Sequence, residues 1–126
     1  MRAVDTNVLI RLITRDDKRQ VEAAEAFVAK GAWVSHLVLA ETSWLLDSVY
    51  DRTPAQIAKA IGMLLDHKQL TLQERDVVEA ALATFRNSKR VSFSDILILE
   101  IARKNGHLPL GSFDRDFAAI EGAQRL

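Results

Sequence analysis

The sequence predicts an α/β domain, with a mostly parallel central β-sheet flanked by α-helices on both faces. Two observations carry this reading. Short apolar runs alternate with longer segments whose apolar residues recur at helical spacing, the order that builds parallel strands joined by crossover helices. No linker, repeat or low-complexity tract interrupts the order, so the 126 residues read as a single domain, 1–126, long enough to bury a core without staples.

The elements follow in turn. Arg2–Val4 is short and apolar and reads as a buried strand. Asp5-Thr6-Asn7 then supplies N-cap chemistry for a helix through about Thr14. From Asp17 to Ala29, Val21, Ala24 and Val28 fall on one helical face, and Gly31 stops the run. Ala32–Ser35 is the second strand and Leu37–Val49 the third helix. Thr53-Pro54-Ala55-Gln56 is a capping box with proline at the first helical position, and its helix carries Ile57, Ile61, Leu64 and Leu65 on one face. A strand at Leu70–Leu72 precedes an amphipathic helix with Val78, Leu82 and Phe85 in register. Ser94 is positioned to cap a helix from Asp95 to Asn105, ended by Gly106. Leu108–Leu110 reads as a fourth strand, and the last residues as an edge strand.

Composition excludes several classes. With no cysteine there is no disulfide framework, thiol nucleophile or cysteine-based metal site. The 17 basic and 17 acidic residues cancel, which argues against a strongly basic nucleic-acid module. No stretch approaches the ~20 apolar residues that span a bilayer, and no targeting segment is evident, so the expectation is no membrane partner and a cytoplasmic location.

Most acids sit in polar turns or on wet helix faces, but four interrupt apolar segments. Asp5 follows Arg2-Ala3-Val4, and Glu41 breaks Leu37-Val38-Leu39-Ala40 ahead of Trp44-Leu45-Leu46. Asp95 heads Ile96-Leu97-Ile98-Leu99, and Asp114 follows Leu108-Pro109-Leu110-Gly111-Ser112-Phe113. Asp5, Asp95 and Asp114 also suit plain helix capping or a first helical turn. Glu41 lies in a helix interior with no basic residue within a turn, so burial there would demand a partner or a raised pKa. In parallel α/β folds ligands sit at the carboxyl edge of the sheet, where these acids are expected to converge in one pocket. Converging carboxylates repel, and hard divalent cations such as Mg²⁺ or Mn²⁺ neutralise them best, as oxygen-ligated ions that can activate water and stabilise phosphate oxygens.

These residues resemble a known family. Asp5-Thr6-Asn7 after an initial strand looks like the opening motif of PIN-domain ribonucleases, particularly the VapC-type toxins of prokaryotic toxin–antitoxin pairs. Ser35-His36-Leu37-Val38-Leu39-Ala40-Glu41 is similar to their second acidic motif and Ser94-Asp95-Ile96-Leu97-Ile98 to their third. Ser112-Phe113-Asp114-Arg115-Asp116-Phe117 is similar to the closing Thr-Phe-Asp segment. Each motif alone is weak, but four in order along the chain are specific. The resemblance implies a PIN-like fold and a Mg²⁺- or Mn²⁺-dependent endoribonuclease acting on tRNA, rRNA or mRNA. It further implies a homodimer and a small cognate antitoxin, as in type II VapBC-like pairs. Carried over, Asp5, Glu41, Asp95 and Asp114 form the catalytic acidic quartet. Asp5 and Asp95 are the first-choice metal ligands, and Glu41, Asp114 and Asp116 complete the set. Asn7 and Ser112 support them by hydrogen bonding. Many relatives carry a further acid three residues before the third motif's aspartate, where this chain has Ser92; Ser112 replaces the usual threonine and keeps its hydroxyl.

Two other readings compete. An aspartyl-phosphate receiver or phosphatase-like domain would also place acids at strand ends, but the phosphatase pattern wants a second aspartate where Asn7 stands. A non-catalytic PIN-like module would bind RNA or a partner without cutting. His36, His67 and His107 lack zinc spacing, and Trp33 and Trp44 read as core or interface aromatics in preference to base-stacking platforms. Arg11, Arg15, Arg86, Lys89 and Arg90 are candidates for phosphate contacts along an RNA path or for ordinary surface charge. The glycines form no phosphate-cradling loop, and no G-x-S-x-G occurs. If the acids do share a pocket, the rest of the molecule is basic, and the zero net charge no longer opposes RNA binding.

Overall fold

A computed structural model describes residues 1–88 and 90–126. Its order is β1 (Arg2–Ala3), α1 (Thr6–Thr14), α2 (Lys18–Val28), β2 (Ala32–Val34), α3 (His36–Ser48) and α4 (Pro54–Asp66). There follow β3 (Leu70–Leu72), α5 (Arg75–Arg86), α6 (Phe93–Lys104), β4 (Leu110–Ser112), α7 (Arg115–Ala118) and β5 (Ala123–Arg125). Among the described residues every strand pairing is parallel, as the strand–helix alternation predicts. The hydrogen-bonded ladders fall into two pieces, a three-stranded sheet in the order β1-β2-β3 and a pair β4-β5.

Capping chemistry sets most helix starts. Asp17 caps α2 through the Gln20 N–H, and Thr53 and Gln56 form the reciprocal capping box of α4 at 3.2 and 2.8 Å. Ser35 ends β2 by capping α3 through Val38, so the strand stops at Val34 and the helix begins at His36. At α6 the expected cap is displaced. Ser92, not Ser94, has the extended backbone and accepts from the Asp95 N–H at 3.2 Å. The reason is packing: Phe93, only 2% exposed, must enter the core, where it meets Phe85 edge-on with ring centroids 5.8 Å apart. The fourth strand also begins later than expected, at Leu110, because Pro109 has no N–H to give a ladder. The one-turn helix α7 after it is not anticipated by any periodicity.

The core gathers Leu9, Ile10, Val34, Leu39, Leu46, Ile61, Val78, Ile96, Leu97 and Leu99, each at 1% exposure or less. Helix α3 packs against α1, α4 and α6, and α5 packs against α4 and α6. Along β2 and β3 burial alternates, with Trp33 and Thr71 exposed between buried neighbours. Neither tryptophan is a core residue: Trp33 is 37% and Trp44 58% exposed.

Candidate active site

Asp5 and Asp114 occupy matching positions. Asp5 follows β1 and caps α1, its Oδ1 accepting from the Val8 N–H at 3.2 Å. Asp114 follows β4 and caps α7, its Oδ1 accepting from the Phe117 N–H at 3.0 Å. In each, one oxygen fixes the side chain by its cap, and the other takes no hydrogen bond among the described residues. Ser112 Oγ accepts from the Asp114 N–H at 3.0 Å and so orients the turn that presents it. Asn7 is exposed in the first turn of α1, and Asp116 is exposed in the first turn of α7.

Asp95 is half-buried in the first turn of α6, where the Ser92 hydroxyl holds its N–H. Glu41 corrects an expectation. It lies in the interior of α3, but it is exposed, so no desolvation forces a partner upon it. The buried residues of α3 are Leu39, Thr42, Ser43 and Leu46, whereas Leu37, Glu41 and Trp44 share the opposite, wet face. Among the described residues no ion pair uses Asp5, Glu41, Asp95, Asp114 or Asp116. The acid that is buried is Glu100, at 9% exposure, which sequence reading passed over. It pairs with Arg103 at 3.3 Å, and Arg103 in turn donates to the Glu121 carbonyl.

One pocket for the acids is expected at the strand ends, and an assembled metal cage is not present there among the described residues. Among the described residues no three histidines, aspartates or glutamates stand together closely enough to hold a metal ion. The quartet therefore fits a hard cation in its donor chemistry, all carboxylate oxygen without basic partners, but not as an assembled cage. A cavity of about 280 Å³ opens beside Asp95, lined by Ser92 and Ser94 of the α6 start and by Trp44 and Asp47 of α3. None of the four acids lines it.

A family model described as PIN domain matches residues 2–123. The chain belongs to the PIN domain family. That family is of nuclease type, generally metal-dependent and associated with RNA, which sets the aspartyl-phosphate reading aside. No curated protein matches the chain significantly.

Within this PIN domain the other candidates separate. Arg11 is tied to Asp16 at 2.6 Å and Arg15 to Glu25 at 3.0 Å. The Asp16 carboxyl is held below the usual carboxylate range, first by the Thr14 hydroxyl and then by Arg11. Arg86 and Arg90 line cavities, and Lys89 lies outside the described residues. His67 Nδ1 accepts from the Gln69 N–H at 3.1 Å, a local turn contact. The His36 N–H donates to Gln73 Oε1 at 2.9 Å, strapping the start of α3 to the end of β3. Gln73 had no signal in the sequence, because this contact spans 37 positions. Among the described residues no helix is long and apolar enough to cross a membrane.

Proposed function

We propose that this PIN domain is a metal-dependent endoribonuclease, the toxin of a type II VapBC-like pair. The observation that carries the reading is the ordered set Asp5, Glu41, Asp95 and Asp114 within a PIN domain spanning residues 2–123. Asp5 and Asp95 are the residues that would hold Mg²⁺ or Mn²⁺, with Glu41, Asp114 and Asp116 as further oxygen donors. When bound, such an ion supplies Lewis acidity, a water of lowered pKa and positive charge toward the phosphate.

The chain's own residues supply orientation. The cap bonds at Asp5 and Asp114 leave one oxygen of each carboxylate available in a fixed direction. Ser92 anchors the Asp95 main chain, and Ser112 anchors that of Asp114. Asn7, two residues beyond Asp5, would support it by hydrogen bonding. Exposed Glu41 is free to change rotamer, which suits a residue that joins a metal shell only on loading. Substrate RNA, a homodimer and a small antitoxin complete the proposal, in a cytoplasmic setting. The exposed Leu37 of α3, Ile98 of α6 and Phe113 after β4 are the apolar groups such protein partners would cover.

Incubation with tRNA and rRNA tests the reading. Discrete cleavage products should form with Mg²⁺ or Mn²⁺ and vanish with a chelator. Intact RNA under all metal conditions would refute it. A growth arrest on expression, relieved by a small protein encoded beside it, tests the toxin assignment separately.

A further inference from the structure

The cavity beside Asp95 is built differently from the acidic site. Its floor is apolar, with Ile57, Phe85 and Phe93, and its rim is polar and charged. Trp44 stands 58% exposed on that rim, a large aromatic face that the fold does not cover. Asp47 and Arg90 line the same cavity, yet among the described residues neither belongs to an ion pair, with the other or with any group. A flat stacking surface, an acceptor-only group and a cation thus face one space of about 280 Å³. That volume lies at the small end of ligand pockets and suits a single planar ring system.

We propose that this cavity is a nucleobase subsite of the nuclease, selective for guanine in single-stranded RNA. It rests on the nuclease reading. Trp44 stacks on the base, as aromatic side chains do in single-strand recognition. Asp47 accepts from the base edge, and guanine alone presents two adjacent donors there, N1–H and N2–H, that match a carboxylate's two oxygens. Arg90 takes the neighbouring phosphate. The position is apt for cleavage specificity: Ser94 of the lining directly precedes Asp95, and Trp44 lies one helical turn from Glu41. A base seated here lies against the helix segments that carry two of the four acids.

The test is binding, read by fluorescence anisotropy, with Asp5→Asn protein in chelator so that no cleavage intervenes. The probes are labelled UUUGUU, UUUAUU and UUUCUU. The guanine oligonucleotide should bind about tenfold tighter than the other two. Asp47→Asn should abolish that preference, and Trp44→Leu should weaken all three. Both side chains are exposed, so both variants should keep the wild-type melting temperature. Equal affinity for the three probes overturns the proposal, as does preference that survives Asp47→Asn. Conversion of a dimer to a monomer by Trp44→Leu, without loss of RNA binding, overturns it in favour of a protein interface. Discrimination by a protein that cuts no RNA would sink the nuclease reading and spare the subsite; cleavage without discrimination would do the reverse.

Discussion

Replacing Ser92 by alanine isolates the bond on which the geometry of Asp95 depends. Ser92 has the extended backbone of an N-cap (φ −68°, ψ 153°), and its Oγ accepts from the Asp95 N–H at 3.2 Å. Its carbonyl accepts the first helical bond, from the Ile96 N–H at 3.2 Å. Ser92→Ala leaves that carbonyl in place but strips the Asp95 amide of its acceptor, a loss of about 1 kcal/mol for a cap of this kind. For a chain of this length the melting temperature should fall by roughly 3–5 °C. Ser94→Ala is the matched control. Ser94 sits inside the first turn, where its hydroxyl meets only the Ser92 Oγ at 3.1 Å among the described residues. Alanine is also the better helix former there, by up to about 0.5 kcal/mol. Its melting temperature should hold or rise slightly. Differential scanning calorimetry on both variants decides the matter. A larger loss for Ser94→Ala than for Ser92→Ala would refute the helix start at Phe93 and with it the placement of Asp95.

Two further outcomes follow from packing and charge. Phe93→Ala removes a fully buried ring and its edge contact with Phe85, and urea unfolding should show a loss of about 3–5 kcal/mol; a loss under 1 kcal/mol would contradict the core position. Lys104 hydrogen-bonds Asp76 at 2.9 Å, which lowers the Asp76 pKa and raises that of Lys104. The contribution of this exposed pair is thus present at neutral pH, fades as pH falls through the lowered Asp76 value, and fades again as pH climbs through the raised Lys104 value. Carboxyl-carbon NMR should find Asp76 titrating below an ordinary aspartate, and Lys104→Met should return it to the usual range.

Much of the fold is legible because capping residues and apolar spacing act locally. Asp5 and Thr53 mark their helix starts in the sequence, and each carries the expected cap bond, whereas Asp17 and Ser35 cap their helices without being read as caps. The exposure of Glu41 is not legible, because α3 is apolar on both faces. Leu37 and Trp44 on the wet side imitate a core stripe, and only tertiary packing decides which face is buried. The cap of α6 depends on the burial of Phe93, a contact with distant Phe85. Helix α7 is one turn long, too short to show a period. The acidic motifs themselves were visible from their interruption of apolar runs. Their relation in space was not, because convergence depends on side-chain placement, and among the described residues the side chains do not gather into a metal cage.

RNA cleavage by Asp5→Asn and Asp95→Asn proteins tests the central claim most directly. Asparagine caps a helix about as well as aspartate, so Asp5→Asn should keep the wild-type melting temperature. Asp95→Asn should lose only the modest attraction of a first-turn anion, about 0.3–1 kcal/mol. If the acidic quartet is the nuclease site, wild-type protein cuts RNA with Mg²⁺ or Mn²⁺ and each folded variant loses that activity by at least about a hundredfold. Equal cleavage by wild type and both variants would contradict the assignment.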